Sequence, residues 1–212
     1  MRYLITGAAG FIGFHLTKKL IEKKIFVIGI DNLNDYYDKS LKINRLKILK
    51  KSKYFKFIKL DISDFKNLNF VFKKNKINKV INLAAYAGVN YSLKHPEKYI
   101  FTNEIGFFNI LELVNKYKVK KLFFASSSSV YGLNNLPFKE TQNTDAPISL
   151  YAATKKNNEV LAYYYSKQFN INIIGIRFFT VYGPYGRPDL SIFKFCKQIL
   201  SNKKLKLFNK GN

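Results

Sequence analysis

Tyr151 and Lys155 form a Y-x-x-x-K pair, a spacing that places both side chains on one face of a helix. A lysine ammonium beside a phenol stabilises the phenolate and lowers its pKa. A tyrosine of this kind can take the proton of an alcohol hydroxyl while a hydride leaves the same carbon. Such a pair also occurs by chance on helix surfaces, so the prediction depends on what the chain places beside it.

A second group of chemically suggestive residues lies in the N-terminal stretch MRYLITGAAGFIGFH. Residues 2–6 are a short apolar run typical of a buried parallel strand, and an amphipathic helical pattern follows Gly13. Gly7 permits a sharp turn, Gly10 lets the backbone approach a pyrophosphate, and Gly13 lets the helix pack closely on the sheet. Because the N–H groups of the helix start would face the phosphates, the pattern predicts a dinucleotide site.

Asp31 follows a second apolar run at residues 25–30, about where a carboxylate meets the adenosine ribose of a dinucleotide. A negative charge at that place repels a 2′-phosphate. The sequence therefore favours NAD over NADP.

Four serines at residues 126–129 follow another apolar run, at residues 122–125. We expect them at the carboxyl end of a buried strand, where a hydroxyl can hydrogen-bond the substrate oxygen that faces Tyr151.

Apolar runs and helical patterns alternate along the chain, which predicts an α/β fold with a doubly wound parallel sheet and the ligand at the carboxyl ends of the strands. Strands are expected at residues 2–6, 26–30, 55–60, 79–83, 122–125, 173–177 and, after a change of character at Val181, 205–208. Helices are expected after Gly13 and at residues 40–50, 64–74 with Asp64 as cap, 96–117, 150–169 and 191–201.

The formal net charge of +24 is high enough to attract nucleic acid. Nearly all of it comes from lysine, and arginine, the usual reader of bases and phosphates, stands only at residues 2, 45, 177 and 187. We therefore expect solvated lysines and no nucleic-acid partner. Cys196, expected in the core, is the only cysteine, and no run of 18 apolar residues occurs. This favours a reducing cytoplasmic location without a metal site or a membrane span.

Together these features resemble the extended short-chain dehydrogenase/reductase family of nucleotide-sugar epimerases, and within it the UDP-glucuronate 4-epimerases. The resemblance covers essentially the whole chain and is carried by TGAAGFIGFH, GIDNLNDYYD, ASSSSVYGLN, SLYAATKK and RFFTVYGPYGRPD. It implies a Rossmann NAD-binding domain at residues 1–180 and the start of a smaller substrate-binding lobe at residues 181–212.

The resemblance also implies a role for each matching residue. Tyr151 would be the base, Lys155 its electrostatic partner and Ser127 the catalytic Ser/Thr. The NAD-binding residues would be Gly7, Gly10, Phe11, Ile12, Gly13, Asp31, Asn32, Asp61, Ile62, Leu83, Ala84, Ala85, Asn103, Tyr151 and Lys155. The candidates for holding the carboxylate of the sugar are Ser128, Ser129, Thr180 and Arg187, the last as a planar fork.

The implied reaction is NAD-dependent 4-epimerisation of a UDP-sugar, UDP-glucuronate to UDP-galacturonate, through a transient 4-keto sugar. Related dehydratases and decarboxylases carry an acidic residue directly after the catalytic Ser/Thr, whereas this chain has Ser128. UDP-glucose or a UDP-N-acetylhexosamine is the alternative substrate. Because family members continue well beyond residue 212, a non-catalytic NAD-binding remnant is a further alternative. A homodimer through the helices at residues 96–117 and 150–169 is also implied.

Overall fold

Six parallel strands form one sheet in the order β3-β2-β1-β4-β5-β6 in the computed structural model, which describes residues 1–205. The strands are β1 (Arg2–Thr6), β2 (Phe26–Asp31), β3 (Phe55–Lys59), β4 (Lys79–Asn82), β5 (Lys121–Ser127) and β6 (Asn172–Phe178). The helices are α1 (Phe11–Glu22), α2 (Lys39–Leu49), α3 (Phe65–Lys74), α4 (Val89–Lys94), α5 (Pro96–Tyr99), α6 (Gly106–Lys116), α7 (Leu150–Phe169) and α8 (Ser191–Leu200). A π-helical segment (Ile100–Ile105) joins α5 to α6, and a 3₁₀ helix (Ser128–Tyr131) follows β5.

Helices cover both faces of the sheet, so the strands read as continuous apolar runs. On one face, Phe14 of α1 and Leu46 and Leu49 of α2 pack on β1 and β2. On the other face, α3, α6 and α7 supply a second core that includes Leu68 and Phe107. The predicted doubly wound α/β fold is confirmed.

The direction of strand addition reverses between β1 and β4, and the side chain of Thr6 joins the two strands there. Its hydroxyl donates to Asn82 Oδ1 at 2.6 Å and accepts from the backbone N–H groups of Leu83 and Ala84, both at 3.1 Å. At such a reversal the segments that follow β1 and β4 run in opposite directions. A crevice therefore opens between them at the carboxyl edge of the sheet.

Most predicted elements are present with ends shifted by one or two residues. Asp64 caps α3 as expected, since its side chain accepts from the backbone N–H of Asn67 at 3.0 Å. Strand β5 is longer than predicted and includes the first two serines, Ser126 and Ser127. The helix expected at residues 96–117 is interrupted by the π-helical segment. The strand expected at residues 205–208 lies outside the described residues, except for its first position.

The C-terminal part of the described chain contributes little to either core. Helix α8 buries none of its side chains, and Ile174 and Ile176 of β6 are exposed. The prediction that Cys196 lies in the core is wrong, because α8 has no packing partner on that side among residues 1–205.

Within residues 1–205, no helix combines the length and the apolar character that a membrane crossing requires. The same residues contain no group of three or more His, Cys, Asp or Glu side chains arranged to hold a metal ion.

The contact between Gly13 and the glycine turn gives a test of this packing. A Cβ on Gly13 would lie 2.1 Å from the Gly7 carbonyl oxygen, whereas a Cβ on Gly10 would lie 3.0 Å from the same atom. We expect Gly13→Ala to lower the free energy of unfolding by about 1–3 kcal/mol, because α1 must move away from the sheet. Gly10→Ala should cost less. Urea denaturation followed by circular dichroism measures both, and a Gly13→Ala variant as stable as wild type would contradict the close approach.

Candidate active site

A cavity of about 730 Å³ opens at the carboxyl edge of the sheet, where β1 and β4 diverge. Its walls come from the segments that follow β1 to β6 and from the start of α7. All predicted site residues except Asn103 line it: Gly7, Gly10, Phe11, Ile12, Gly13, Asp31, Asn32, Asp61, Ile62, Leu83, Ala84, Ala85, Ser127, Ser128, Ser129, Tyr151, Lys155, Thr180 and Arg187. The fold therefore gathers residues from across the sequence around one space.

The glycine turn forms the floor of one end of the cavity. Gly7 has φ 68°, and a Cβ on it would lie 2.9 Å from the backbone of Leu83 and Ala84. Helix α1 begins at Phe11 after Gly10, and no side chain caps it. The N–H groups of its first turn are thus available to a ligand, as pyrophosphate binding requires.

Asp31 lies at the end of β2 and is held by backbone groups. Its carboxylate accepts from the N–H of Ala9 at 3.1 Å and of Leu33 at 2.9 Å, and the Lys42 ammonium lies 3.9 Å away. These contacts fix the buried carboxylate at the cavity wall. They leave its negative charge facing the end of the cavity where the sequence predicts an adenosine ribose.

Asn32 and Asp61 meet beside this carboxylate, because the Asn32 amide donates to Asp61 Oδ2 at 2.7 Å. The ends of β2 and β3 are thereby joined at the cavity edge.

Tyr151 lies in the first turn of α7, which Ser149 caps by accepting from the Ala152 N–H at 3.1 Å. The phenol is buried, and it lines the same part of the cavity as Ser127. Burial raises the pKa of Tyr151, and the Ser127 hydroxyl and the charge of Arg187 offset only part of this increase. Burial therefore favours the neutral phenol, whereas the predicted base requires the phenolate.

Lys155 follows one turn later and is also buried. Its ammonium donates to the carbonyl of Ala125 at 2.8 Å and lies 6.0 Å from the centre of the Tyr151 ring. Burial lowers the pKa of Lys155 to about 8, against the opposing charge of Glu104. The sequence predicts that Lys155 lowers the pKa of Tyr151, but here burial has the largest effect on both groups.

The two serines at the end of β5 lie in different environments. Ser126 donates to Glu159 at 2.5 Å, and Arg177 donates to both oxygens of the same carboxylate. Ser127 lines the cavity with Tyr151, lowers the pKa of that phenol and accepts from the N–H of Ser129 at 3.1 Å. Of the two strand serines, Ser127 is therefore the one beside the phenol.

Asn103, which is expected among the NAD-binding residues, does not line the cavity. Its buried amide accepts from the N–H of Tyr86 at 2.9 Å, donates to the carbonyl of Tyr86 at 3.0 Å and donates to Thr154 Oγ1 at 3.1 Å. Because these bonds use both ends of the amide, Asn103 acts on the site through Tyr86 and α7.

Arg187 lines the cavity, but its guanidinium already has hydrogen-bond partners within the chain. Two of its nitrogens donate to Asp189, at 3.0 and 2.5 Å. Tyr36 donates to the same carboxylate at 2.9 Å, and burial together with Asp189 raises the pKa of Tyr36 to about 12. A sugar carboxylate bound by Arg187 would have to share or replace this partner.

Arg45 is a residue that the sequence reasoning missed. It is fully buried and donates to the carbonyl of Ala9 in the glycine turn, to the hydroxyl of Tyr37 and to the carbonyls of Tyr185 and Gly186. It thus joins the glycine turn to the segment at residues 185–186. Its residue type could have singled it out in the sequence, because arginine is rare in this lysine-rich chain.

The buried ammonium of Lys155 should make the stability of the folded chain depend on pH. Its pKa is about 8 in the folded chain and 10.5 when unperturbed, so the unfolded chain binds more protons between these values. Wild-type stability should therefore rise as pH increases through this window, by an amount on the order of 3 kcal/mol at most. Lys155→Met should remove this rise.

Thermal unfolding between pH 7 and 9.5 measures the effect. Lys167→Met, an exposed position on the same helix, is the control and should retain the wild-type pH dependence. Parallel curves for wild type and Lys155→Met would show that no such buried charge exists.

Comparison with known proteins places this geometry in a family. Residues 3–212 match the NAD dependent epimerase/dehydratase family. The protein CapI of Staphylococcus aureus is 50% identical over 213 residues, covering 100% of this chain and 64% of that protein. UDP-glucuronate 4-epimerase of Thermodesulfobacterium geofontis is 48% identical over 209 residues, covering 99% of this chain and 65% of that protein.

A solved structure shares the fold at high similarity. UDP-glucuronic acid 4-epimerase from Bacillus cereus, crystallised with UDP-glucuronic acid and NAD, has a TM-score of 0.93 and 36% identity. The alignment covers 100% of this chain and 67% of that one. The chain thus spans slightly less than two thirds of the curated relatives described above. With the family match extending over nearly all of its residues, the chain belongs to the NAD dependent epimerase/dehydratase family.

Proposed function

We propose that this chain carries the NAD-binding and catalytic part of an epimerase that interconverts UDP-glucuronate and UDP-galacturonate at C4. The observation that carries the proposal is the single cavity in which the glycine turn, Asp31 and the Ser127–Tyr151–Lys155 group meet. The similarity to an enzyme crystallised with UDP-glucuronic acid and NAD supports it.

The residues present fit NAD. The uncapped start of α1 and the close approach of Gly7 to Leu83 and Ala84 leave a backbone cradle that a side chain would fill. Gly10, Phe11, Ile12 and Gly13 would bind the pyrophosphate, and Asp31 and Asn32 would bind the adenosine ribose. When bound, the nicotinamide supplies a place to which hydride can be transferred and from which it can return.

Tyr151 would exchange the proton of the sugar 4-hydroxyl, and Ser127 would orient that oxygen by a hydrogen bond. The charge of Arg187 favours the phenolate that must be present before the proton leaves the substrate. The Lys155 ammonium, 6.0 Å from the centre of the Tyr151 ring, would act in the same direction. A transient 4-keto sugar would form as the hydroxyl proton and the C4 hydride leave. If that sugar turns in the site, takes the hydride back on its other face and recovers the proton from Tyr151, it would emerge with inverted C4 configuration. Ser128 stands where related dehydratases and decarboxylases carry an acid, which favours simple epimerisation.

Ser128, Ser129, Thr180 and Arg187 are the proposed contacts of the sugar carboxylate, since all four line the same cavity. One observation favours a second substrate class. Because Asp189 already balances the charge of Arg187, an uncharged sugar such as that of UDP-glucose or a UDP-N-acetylhexosamine also fits this environment.

We further propose that residues 1–180 form the NAD-binding domain and that residues 181–212 begin a substrate-binding lobe. A homodimer through the helical run at residues 96–117 and α7 is supported by exposed apolar side chains on both: Phe101, Ile105, Phe108, Val160, Tyr163 and Tyr164. The cytoplasm is the proposed location, based on the single cysteine.

Activity tests the proposed reaction directly. The chain is incubated with NAD and UDP-glucuronate, and UDP-galacturonate is measured by chromatography. Tyr151→Phe should lower turnover by at least about 100-fold, the lower range for general acid–base catalysis, while NAD affinity measured by calorimetry is retained. Tyr54→Phe, at a position outside the cavity lining, should behave as wild type.

Near-normal turnover in Tyr151→Phe would remove the assigned base. Product from UDP-glucose but not from UDP-glucuronate would favour the second substrate class. NAD binding without product from either sugar would favour a non-catalytic NAD-binding module.

Cofactor choice tests the role of Asp31. Asp31→Ala should reduce the preference for NAD over NADP, because the carboxylate that repels a 2′-phosphate is lost and the Lys42 ammonium beside it remains. The ratio of the two dissociation constants, measured by calorimetry, gives the result. An unchanged ratio would show that the ribose lies elsewhere.

A further inference from the structure

The chain forms a turn at residues 184–186, directly before Arg187. Tyr185 has φ 57°, in the left-handed region that a bulky side chain rarely adopts. At the next residue, Gly186, a Cβ would lie 2.9 Å from the carbonyl oxygen of Gly183. A strained backbone of this kind persists only where the surrounding structure holds it, and it occurs most often at functional sites.

Arg45 of α2 holds the 184–186 turn from inside the molecule. One terminal nitrogen of its guanidinium, Nη2, donates to the carbonyls of Tyr185 at 2.7 Å and Gly186 at 3.1 Å. The other, Nη1, donates to the carbonyl of Ala9 at 3.0 Å and to the hydroxyl of Tyr37 at 2.7 Å. One rigid planar group therefore links the glycine turn to the 184–186 turn.

This arrangement is costly for Arg45, which is fully buried among uncharged acceptors. Among residues 1–205, no carboxylate lies within ion-pair distance of its guanidinium, and its Nε has no hydrogen-bond partner. A buried charge without a counter-charge costs free energy that an apolar side chain would not. The arginine is therefore better explained by the segments it links than by a contribution to stability.

Helix α1 contacts the 184–186 turn independently. His15 Nε2 lies 2.8 Å from the carbonyl oxygen of Pro184, and the rings of Phe14 and Tyr185 pack with their centroids 5.0 Å apart. The turn is thus fixed both to the glycine turn and to the helix that follows it. Its carbonyl groups are held at three successive residues.

The side chain of Arg187 leaves this turn and lines the cavity. Its Nε and Nη2 donate to Asp189, whereas Nη1 has no hydrogen-bond partner among residues 1–205. Because Nη1 is not a buried atom either, this edge of the guanidinium is available to a ligand oxygen. The place of that edge relative to the glycine turn depends on the backbone that Arg45 holds.

We propose that Arg45 is a positioning residue: it sets the backbone before Arg187 relative to the glycine turn, so that the arginine that binds the acidic sugar and the cradle that binds NAD keep a fixed separation. Hydride transfer needs such a separation, because the reacting groups must meet at close range and in one orientation. The inference rests on the proposed function for the identity of the two ligands. Its test measures binding and does not require turnover.

Arg45→Lys keeps the positive charge but cannot reach the glycine turn and the 184–186 turn at the same time. The dissociation constant of UDP-glucuronate should rise by about tenfold or more, the effect of losing one hydrogen bond to a charged group. That of UDP-glucose should stay near the wild-type value, because its sugar offers Arg187 no carboxylate. Calorimetry at saturating NAD, with every chain carrying Tyr151→Phe to prevent turnover, measures both constants.

Arg177→Lys is the matched control. Arg177 of β6 also joins two elements, since it binds Glu159 of α7, but it does not line the cavity. Its substitution should leave the ratio of the two dissociation constants unchanged. A second comparison uses Arg187→Met. If Arg45 acts through Arg187, Arg45→Lys should have little further effect on the ratio in that background.

His15→Phe loosens the same turn without removing a buried charge. His15 is exposed, so this variant keeps the inference testable if Arg45→Lys does not fold. Loss of the contact with Pro184 should shift the ratio in the same direction by a smaller factor, about threefold.

The outcomes separate this inference from the proposed function. A shifted ratio in Arg45→Lys, or in His15→Phe if Arg45→Lys does not fold, supports the positioning role even where the chain with Tyr151 forms no product and the proposed function fails. If wild type converts UDP-glucuronate but both dissociation constants rise equally in Arg45→Lys, Arg45 is only a structural contact and the inference is overturned. An unchanged ratio in both variants, or a full shift in the Arg187→Met background, overturns it as well. If wild type binds neither sugar, both proposals fail.

Discussion

All six strands run in the same direction, so each one delivers the residues that follow it to the same edge of the sheet. This constraint places Gly7, Asp31, Asp61, Ala84 and Ser127 around one cavity although they are far apart in the sequence. The reversal between β1 and β4 then opens the space that these residues surround. Thr6 stabilises this point from within, because its one hydroxyl serves three groups of the neighbouring strand and turn.

Local patterns were sufficient to predict the parts of the fold that depend on short stretches of chain. The apolar runs marked all six strands, the glycine spacing marked the first turn, and Asp64 marked the start of α3. Asn103 could not be placed in this way. Its role was taken from the family resemblance, and no local pattern indicated the π-helical turn in which it lies. Cys196 was misplaced for another reason. Helix α8 has the pattern of a packed helix, but no partner covers it among residues 1–205.

The electrostatics of the site were the hardest part to predict. A tyrosine and a lysine at Y-x-x-x-K spacing suggest a direct effect of one on the other, but the spacing says nothing about burial, which shifts both pKa values here. The fork of Arg187 likewise looked free in the sequence and is held by Asp189. The rarity of arginine was the more useful signal. Arg45, Arg177 and Arg187 each hold two or more segments or side chains together through several hydrogen bonds.

The bonds of Arg45 also determine how the rim of the cavity can open locally. If the segment that contains Tyr185 and Gly186 leaves the surface, the Arg45 guanidinium, which is buried against Ala9, is exposed to water or loses two of its acceptors. A buried charged donor without acceptors is far more costly than a detached surface loop. Fluctuations of this rim should therefore be coupled to those of the glycine turn, so that amide hydrogens in the two segments exchange with solvent as one cooperative unit.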